Sequence, residues 1–543
     1  MRRRKFWGWG YADEVITAEQ REAMAAVAQF YLPGFTPLDR PEPEILGVTL
    51  PQPRVVPPVS LSALFTHDSH ERAAHTYGKS TRDILRVIDR DFSAAPDWVA
   101  LPRSEGDVTA ILDWCADSGV AVCPFGGGTS VVGGVEIGRV RDQFAATVSM
   151  DLRHLSGVLE VDPQSRAARI AGGTLGPDLE EALRPHGLTL RHFPQSFAFS
   201  TLGGWLATRA GGHFATVYTH IDDLVESIRM VTPTGAMESR RLPGSGAGPS
   251  PDRAMLGSEG TLGVISEAWM RLQSRPVYRG QATATFGGAH AFHRGAEAVR
   301  LLSQSGLFPS NCRLIDPVEA QLNGVGDGEH ALLVLGFESA DHPVDAWLAR
   351  AVELVRDTGG VIEAAAIKLR AGSEKESGGA AEGWRDSFLR APYLRDILLL
   401  LGVIAETFET AVTWERFEAF HGAVMEAGRA ALDSTCGGGR LTCRFTHVYP
   451  DGPAPYFTVL APGKAGQMVG QWDTVKAAVS EAILTAGGTI THHHAVGRDH
   501  RPWYERQCPE RYAAFFKAGK AALDPAGVMN PGVLFDPPGS WKA

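Results

Sequence analysis

Long hydrophobic runs are missing from this chain. The longest, Ile397 to Ala405, has nine residues, whereas a membrane-spanning helix needs about 20. Cysteine is scarce as well. The six present are Cys115, Cys123, Cys312, Cys436, Cys443 and Cys508. None forms a C-x-x-C pair and no Cys/His spacing matches a zinc site, so free thiols in a reducing compartment are expected. There is no surplus of positive charge. The 52 Lys and Arg are outnumbered by 62 Asp and Glu, giving a net charge of −10. That excludes a broad nucleic-acid-binding face and leaves room for a local basic pocket. The opening MRRRKFWGWGYADE is basic, but no apolar run of signal-peptide length follows, so secretion is not expected. A cytoplasmic protein is, with association at a membrane surface left open.

The remaining composition is that of a large globular chain. Apolar residues make up 44% and charged residues 21% of 543, and this length accommodates two to four domains at roughly 100–200 residues each. The 61 glycines and 34 prolines punctuate apolar runs and form no low-complexity tract. Residues 1–93 mix helical patterns with a proline-rich stretch, and His67 to Phe92 reads as helix. From Trp98 short β-rich runs (VALP, AVCPFGGG, ATVSMDL, GVLEVD, ARIAGG) alternate with helical stretches at 105–118 and 177–186. This predicts an α+β domain over 94–275. A second region, 276–505, alternates strands and helices, with helix over 384–432 and strands over Thr442–Leu460 and Thr489–His494. The Gly/Ser/Glu-rich stretch Ala371 to Gly383 reads as a loop. Residues 506–543 contain a helix and a turn-rich tail.

The strongest local motif is Pro124-Phe125-Gly126-Gly127-Gly128-Thr129-Ser130, directly after an apolar strand candidate. Adjacent glycines turn the backbone tightly and leave successive N–H groups facing one way, a nest that suits phosphate or pyrophosphate. It is not a Rossmann fingerprint, because Val131 stands where the third glycine belongs. Gly78-Lys79-Ser80 is not a P-loop, because Ala73 stands where its first glycine belongs. Lys79 reads instead as a helix-surface lysine. A second block runs Gln195-Ser196-Phe197-Ala198-Phe199-Ser200-Thr201, with Thr208-Arg209-Ala210-Gly211 after it. A third runs Glu259-Gly260-Thr261-Leu262-Gly263-Val264-Ile265. Small residues there let the backbone approach a flat ligand closely.

In this order and spacing the three blocks resemble the vanillyl-alcohol-oxidase-type flavoproteins with a PCMH-type FAD domain. Further motifs narrow the resemblance to the alkyldihydroxyacetonephosphate synthase (alkylglycerone-phosphate synthase) family. They are Lys5-Phe6-Trp7-Gly8-Trp9-Gly10-Tyr11, Arg313-Leu314-Ile315-Asp316, Tyr393-Leu394-Arg395-Asp396, Glu406-Thr407-Phe408-Glu409-Thr410 with Trp414, and His492-His493-His494. The resemblance implies an α+β fold: a two-subdomain FAD-binding domain, a cap built on an antiparallel sheet flanked by helices, and a C-terminal segment returning to the FAD domain. It implies FAD on the three blocks, held non-covalently because Thr129, not histidine, follows Gly128. Tyr456 matches the tyrosine that moves the substrate's α-proton. His492, His493 and His494 match active-site histidines, Arg313 an arginine linked to activity, and Arg395 the substrate-phosphate arginine. Where the family has a second tyrosine, this chain has Thr458.

A phenol with a pKa near 10 needs neighbouring positive charge to act as a base at neutral pH. Consecutive histidines on a strand alternate faces, so at most two of the three enter one site. No acidic or cysteine ligand stands at metal spacing from them, so no metal is expected. The implied reaction exchanges the acyl group of 1-acyl-dihydroxyacetone phosphate for a long-chain alcohol, with the flavin as electrophile and no net redox change. The alternative is an FAD-linked dehydrogenase or oxidase of a 2-hydroxy acid such as D-lactate, which the tail Asp524-Pro525-Ala526-Gly527-Val528-Met529-Asn530-Pro531-Gly532 also resembles. Partners are thus a lipid-like phosphate substrate and no nucleic acid, with peripheral membrane contact and a homodimer both admitted. The apolar run after Arg395 reads as a buried core helix or as a seat for an acyl tail.

Overall fold

The computed structural model describes residues 2–218, 220–372 and 380–535. Three sheets organise it. Strands β1 (Phe65–Thr66), β2 (Trp98–Ala100), β3 (Val120–Phe125) and β4 (Ala146–Asp151) form the first, in the order β1-β2-β4-β3. β4 runs parallel to both β2 and β3. The helix Glu105–Ser118 returns the chain from β2 to β3. A Ser104/Asp107 capping box opens it, and Gly119, in the left-handed conformation at φ 61°, closes it. β4 is buried along its whole length, which explains why its residues before Asp151 are all small or apolar.

The second sheet uses β5 (Val158–Asp162), β6 (Ala167–Ala171), β8 (Val225–Thr232), β9 (Gly235–Glu238) and β10 (Val264–Arg271), in the order β5-β6-β10-β8-β9. The short strand β7 (Leu188–Thr189) pairs with β11 (Gln273–Ser274). The third sheet is entirely antiparallel. It contains β12 (Tyr278–Phe286), β13 (Asn311–Ile315), β14 (Ala331–Ser339), β15 (Lys368–Ala371), β16 (Val403–Glu409), β17 (Arg440–Tyr449) and β18 (Gly452–Pro462), in the order β15-β12-β14-β13-β17-β18-β16. The chain is α+β, as its sequence implied.

Alternation along the third sheet decides what faces the site. Cys312 and Leu314 on β13, Cys443 and Phe445 on β17, Phe457 and Val459 on β18, and Phe408 on β16 join one core with helices Ala291–Gln304, Trp414–Cys436 and Met468–Thr485. Burying each large side chain contributes about 1.5–3 kcal/mol. The intervening Arg313, Arg444 and Tyr456 therefore project from the opposite face. The C-terminal segment reaches the first sheet. Val122 N–H donates to Val528 O and Asn530 N–H to Val122 O, both at 2.8 Å, which adds Met529 beside β3.

Several local expectations change. His67–Phe92 is not one helix but two, Ser69–Ala74 and Thr81–Ile88. The break falls at Gly78, where a Cβ would overlap the Ser130 carbonyl oxygen. Lys79 lies in this break and not on a helix surface. The stretch 384–432 holds the end of helix Ala380–Leu400, strand β16 and the start of helix Trp414–Cys436. The apolar run Ile397–Ala405 is accordingly no single helix. Gly402, at φ 87°, turns it from helix into strand. Thr489–His494 is not a strand. Most of the Ala371–Gly383 stretch lies outside the described residues.

Candidate active site

The nucleotide loop begins where β3 ends. A Cβ on Gly126 would overlap Thr201 Oγ1, and one on Gly127 would overlap the Phe199 carbonyl. Gly128 adopts φ 65° over the Phe125 ring. The first and second glycine-rich blocks are thus pressed together. Arg4 fastens them by donating through Nη1 to Gly127 O at 2.9 Å and Phe199 O at 3.1 Å. None of the N–H groups from Gly126 to Val131 donates to another described group, so a row of donors stays available for an anion. Ser130 Oγ meanwhile accepts from Gly134 N at 3.0 Å and shapes the exit of the loop.

The third block closes the other side. Gly260 sits against Pro124, with no room for a side chain beyond a tight Cβ contact at 3.1 Å. Glu259 accepts from Val496 N and Gly497 N, each at 2.8 Å. Burial pushes its carboxyl up to about 7, against the opposing pull of those two N–H groups and Arg498. Buried Lys520 donates to Thr261 O at 2.6 Å and Met529 O at 2.8 Å. The C-terminal segment therefore supports this block from behind.

A cavity of about 230 Å³ runs between these loops and the third sheet. From the predicted cofactor set, Pro124–Ser130, Gln195, Ser196, Ser200, Thr201, Thr208, Ala210, Gly211, Glu259, Gly260, Gly263 and Ile265 line it. Phe197, Ala198, Phe199, Thr261, Leu262 and Val264 do not line it. Nor does Arg209, whose guanidinium turns to Asp222 at 2.9 Å. From the cap, Arg313, Tyr456, His493 and His494 line the cavity. The structure does not bring Arg395 there. Its Nη2 pairs with Asp396 Oδ1 at 3.2 Å, and Asp396 Oδ2 accepts from Trp9 N at 2.6 Å.

Glu409 organises the histidine run. This buried carboxylate accepts from the backbone N–H groups of His492, His493 and His494 at 2.6, 2.9 and 2.8 Å, and from the Thr491 hydroxyl. Burial opposes its ionisation. His494, His492, the Thr491 hydroxyl and the His494 N–H outweigh that and hold it at about 2. The loop thereby sends His493 and His494 to the cavity. His492 turns away, its Nε2 3.0 Å from Tyr449 Oη and 3.2 Å from His220 Nε2.

His447 was not among the predicted residues. A β-bulge between Phe445 and His447 lets both Thr446 and His447 line the cavity, where strict alternation would admit one. His447 Nε2 donates to Gly212 O at 2.9 Å. Its Nδ1 lone pair is buried without a partner among the described residues. Burial, with the neighbouring His493 and His220, drives its pKa far down, so the ring is neutral. One ring nitrogen each from His447, His492 and His493 lie within 4.8 Å of one another. Gly212 takes Nε2 of His447, and Tyr449 and His220 approach Nε2 of His492.

Tyr456 also differs from expectation. Burial raises its pKa, against the lowering effect of Arg444, so positive charge does not win and the group is a phenol at neutral pH. Arg444 stacks on its ring at 3.8 Å. Glu319 pairs with Arg444 Nη1, and Thr458 Oγ1 accepts from the same nitrogen at 3.2 Å. The departure at Thr458 thus has a role here: it helps fix the cation under Tyr456. Arg313 Nη2 lies 3.0 Å from His213 Nδ1. Burial, then Arg444, lower the Arg313 pKa to about 9.

Residues 96–239 match the FAD binding domain family, and residues 283–534 match the C-terminal domain of FAD linked oxidases. The alkyldihydroxyacetonephosphate synthase of Dictyostelium discoideum is 31% identical over 495 residues, covering 86% of this chain and 77% of that protein. The chain belongs to the alkyldihydroxyacetonephosphate synthase family. The synthase of Caenorhabditis elegans is 28% identical and covers 99% of this chain and 96% of its own length. A solved alkyldihydroxyacetonephosphate synthase structure superposes with a TM-score of 0.78 at 26% identity, covering 97% of this chain and 98% of that one. FAD is the cofactor of this family member. The crowded glycine contacts and the row of undonated N–H groups fit its pyrophosphate. No described helix is long and apolar enough to cross a membrane.

Proposed function

We propose that this protein exchanges the acyl group of 1-acyl-dihydroxyacetone phosphate for a long-chain alcohol, forming a 1-alkyl ether. One observation carries the reading. In a member of this family, Arg313, Tyr456, His493 and His494 of the cap converge on the cavity lined by the three nucleotide loops. FAD held on the three loops, without a covalent link because Thr129 follows Gly128, would supply an electrophilic ring there. Tyr456 moves the α-proton. Its phenol is held over Arg444, which stabilises charge developing on the oxygen. The neutral imidazoles of the wall, among them His447 with its unpartnered Nδ1, accept the proton that Tyr456 releases. Arg313, braced by His213, faces the departing carboxylate as a buried cation. We assign 94–275 to the FAD half and 276–505 to the cap.

The test follows the flavin spectrum anaerobically while acyl-dihydroxyacetone phosphate and then hexadecanol are added, with the product identified by mass. The expected result is an alkyl ether and an oxidised flavin that returns without any electron acceptor. Bleaching by a 2-hydroxy acid such as D-lactate, with no ether formed, would overturn the reading.

A further inference from the structure

The proposed exchange leaves a proton over. An ester and an alcohol enter, an ether and a carboxylic acid leave, and at neutral pH the acid departs as its carboxylate. One proton must therefore leave the cavity in each turnover. Glu409 is no sink for it, because its surroundings keep it ionised. His493 opens a route out. It lines the cavity, and its Nδ1 lies 2.9 Å from His492 Nδ1. His492 continues the line from its other nitrogen. That Nε2 lies 3.0 Å from Tyr449 Oη and 3.2 Å from His220 Nε2. Tyr449 Oη also lies 2.9 Å from His220 Nε2, so one ring N–H, one ring lone pair and one hydroxyl satisfy each other in a triangle. His220 ends the line. It is only half-buried, and its Nδ1, on the exposed side of the ring, lies 3.2 Å from Arg209 O. His492 and His220 are each entered at one nitrogen and left at the other, which is what a proton relay requires of an imidazole.

We propose that His493, His492 and His220, with Tyr449 bridging the last two, conduct the product proton from the cavity to solvent. This rests on the proposed synthase reading, which supplies the proton. His493 is the member that faces the reacting atoms, and His492, Tyr449 and His220 act through it. Each transfer balances. A proton taken up at Nε2 of His493 releases the one on its Nδ1 to His492 Nδ1. His492 passes its Nε2 proton to His220 Nε2, directly or through the Tyr449 hydroxyl, and His220 releases its Nδ1 proton to water. Only N–H and O–H bonds form and break, and no charge stays behind. The Glu409 carboxylate, 3.3 Å from His493 Nδ1, offsets the transient positive charge on that ring. Burial lowers the pKa of His492 and of His493 far below the ordinary value, so neither ring traps the proton. Burial raises that of Tyr449, so it stays a hydroxyl that can accept and donate at once.

The experiment uses FAD-loaded His220→Gln, His220→Ala and Tyr449→Phe proteins. KM and kcat are measured for acyl-dihydroxyacetone phosphate with hexadecanol, and flavin content and thermal stability are read beside them. His220→Gln keeps a hydrogen-bonding side chain but cannot relay, because an amide does not take up and release protons at neutral pH. It should hold its flavin and lose about 10- to 100-fold in kcat, the lower range for a lost acid–base group, with KM little changed. His220→Ala should lose as much, and added imidazole, entering the vacated space at the exposed end, should restore much of the rate and saturate. Tyr449→Phe should lose less, because His492 Nε2 still reaches His220 directly. The relay is also read without turnover. In holoenzyme with isotope-labelled histidines, saturation transfer from water should reach the ring N–H protons of His492 and His493, and in His220→Gln it should be lost. Parent-like kcat in His220→Gln, unchanged saturation transfer, or no rescue of His220→Ala by imidazole would each overturn the proposal. Loss of flavin or of thermal stability in both His220 variants would make the residue structural and overturn it too. If saturation transfer behaves as expected but no ether forms, the synthase reading falls and the relay stands.

Discussion

Replacing Glu409 by Gln should cost the fold about 1–3 kcal/mol and should be felt first in the histidine run. Oε1 accepts from Thr491 Oγ1 and His494 N, and Oε2 from His492 N and His493 N. A carboxamide of the same shape offers one acceptor oxygen. With its NH2 on the side of His492 N and His493 N it strands two donors; turned the other way it can donate to the Thr491 hydroxyl and strands His494 N alone. Each buried N–H left unsatisfied costs roughly 1–3 kcal/mol. The pKa points the same way: the carboxyl is held below its ordinary value, so its ionised form stabilises the fold.

The sign of the pH dependence follows. The folded pKa lies below the unfolded one, so this stabilisation is fully present above about pH 4.5 and is lost as pH falls towards 2. Urea denaturation at pH 7 should show the full gap between the two proteins, and the gap should narrow steadily below pH 4.5. The Gln protein should keep FAD, because Glu409 touches none of the three glycine-rich blocks, yet lose turnover as His493 and His494 leave their positions. Curves that coincide at pH 7 to within about 0.5 kcal/mol, or that stay parallel down to pH 3, would refute the assignment of Glu409 as the anchor.

Gly127→Val should fold into a colourless protein, because its side chain would collide with the Phe199 carbonyl; a yellow protein after gel filtration would contradict the loop assignment. Tyr456→Phe should retain flavin and core packing and lose at least about 100-fold in kcat, the usual scale of a lost general acid or base. Turnover at the normal rate would remove Tyr456 from the chemistry. Lys520→Met should destabilise the protein by about 3–5 kcal/mol, since it strands buried Asp524, and a thermal melt within a degree or so of the parent would contradict that. His447→Phe should leave flavin binding intact and shift the alkaline or acid limb of the kcat profile; an unchanged profile would show that its Nδ1 takes no proton.

What the sequence revealed and what it hid have separate physical causes. The flavin loops were legible because their constraint is local: three adjacent glycines with no room for a Cβ can be read one residue at a time. Tyr456 and Arg313 stood out through the motifs around them, and the strand alternation of Cys312, Leu314, Phe445 and Phe457 would have placed Arg313 and Arg444 opposite the core. His447 was hidden because its orientation depends on a bulge. A one-residue shift relative to β18 changes which face a side chain takes, and nothing in Phe445-Thr446-His447 marks the slip. Glu409 was hidden for a different reason. It was quoted within a motif, but its function is to accept N–H groups from residues more than 80 positions later, and a backbone donor leaves no signature in side-chain chemistry.

The same distinction explains the histidine run. Read as a strand, it would alternate and place its middle residue opposite the other two. The observed segment is irregular, and the carboxylate of Glu409 determines its course by gathering three successive N–H groups on two oxygens. Such a turn directs neighbouring side chains to one side, which a β-strand cannot do. His493 and His494 can therefore share the cavity wall while His492 is released to Tyr449 and His220. The number of histidines entering the site agrees with the strand argument, but the cause does not. A chain with the same three histidines and no carboxylate at position 409 would have no reason to put an adjacent pair on one wall.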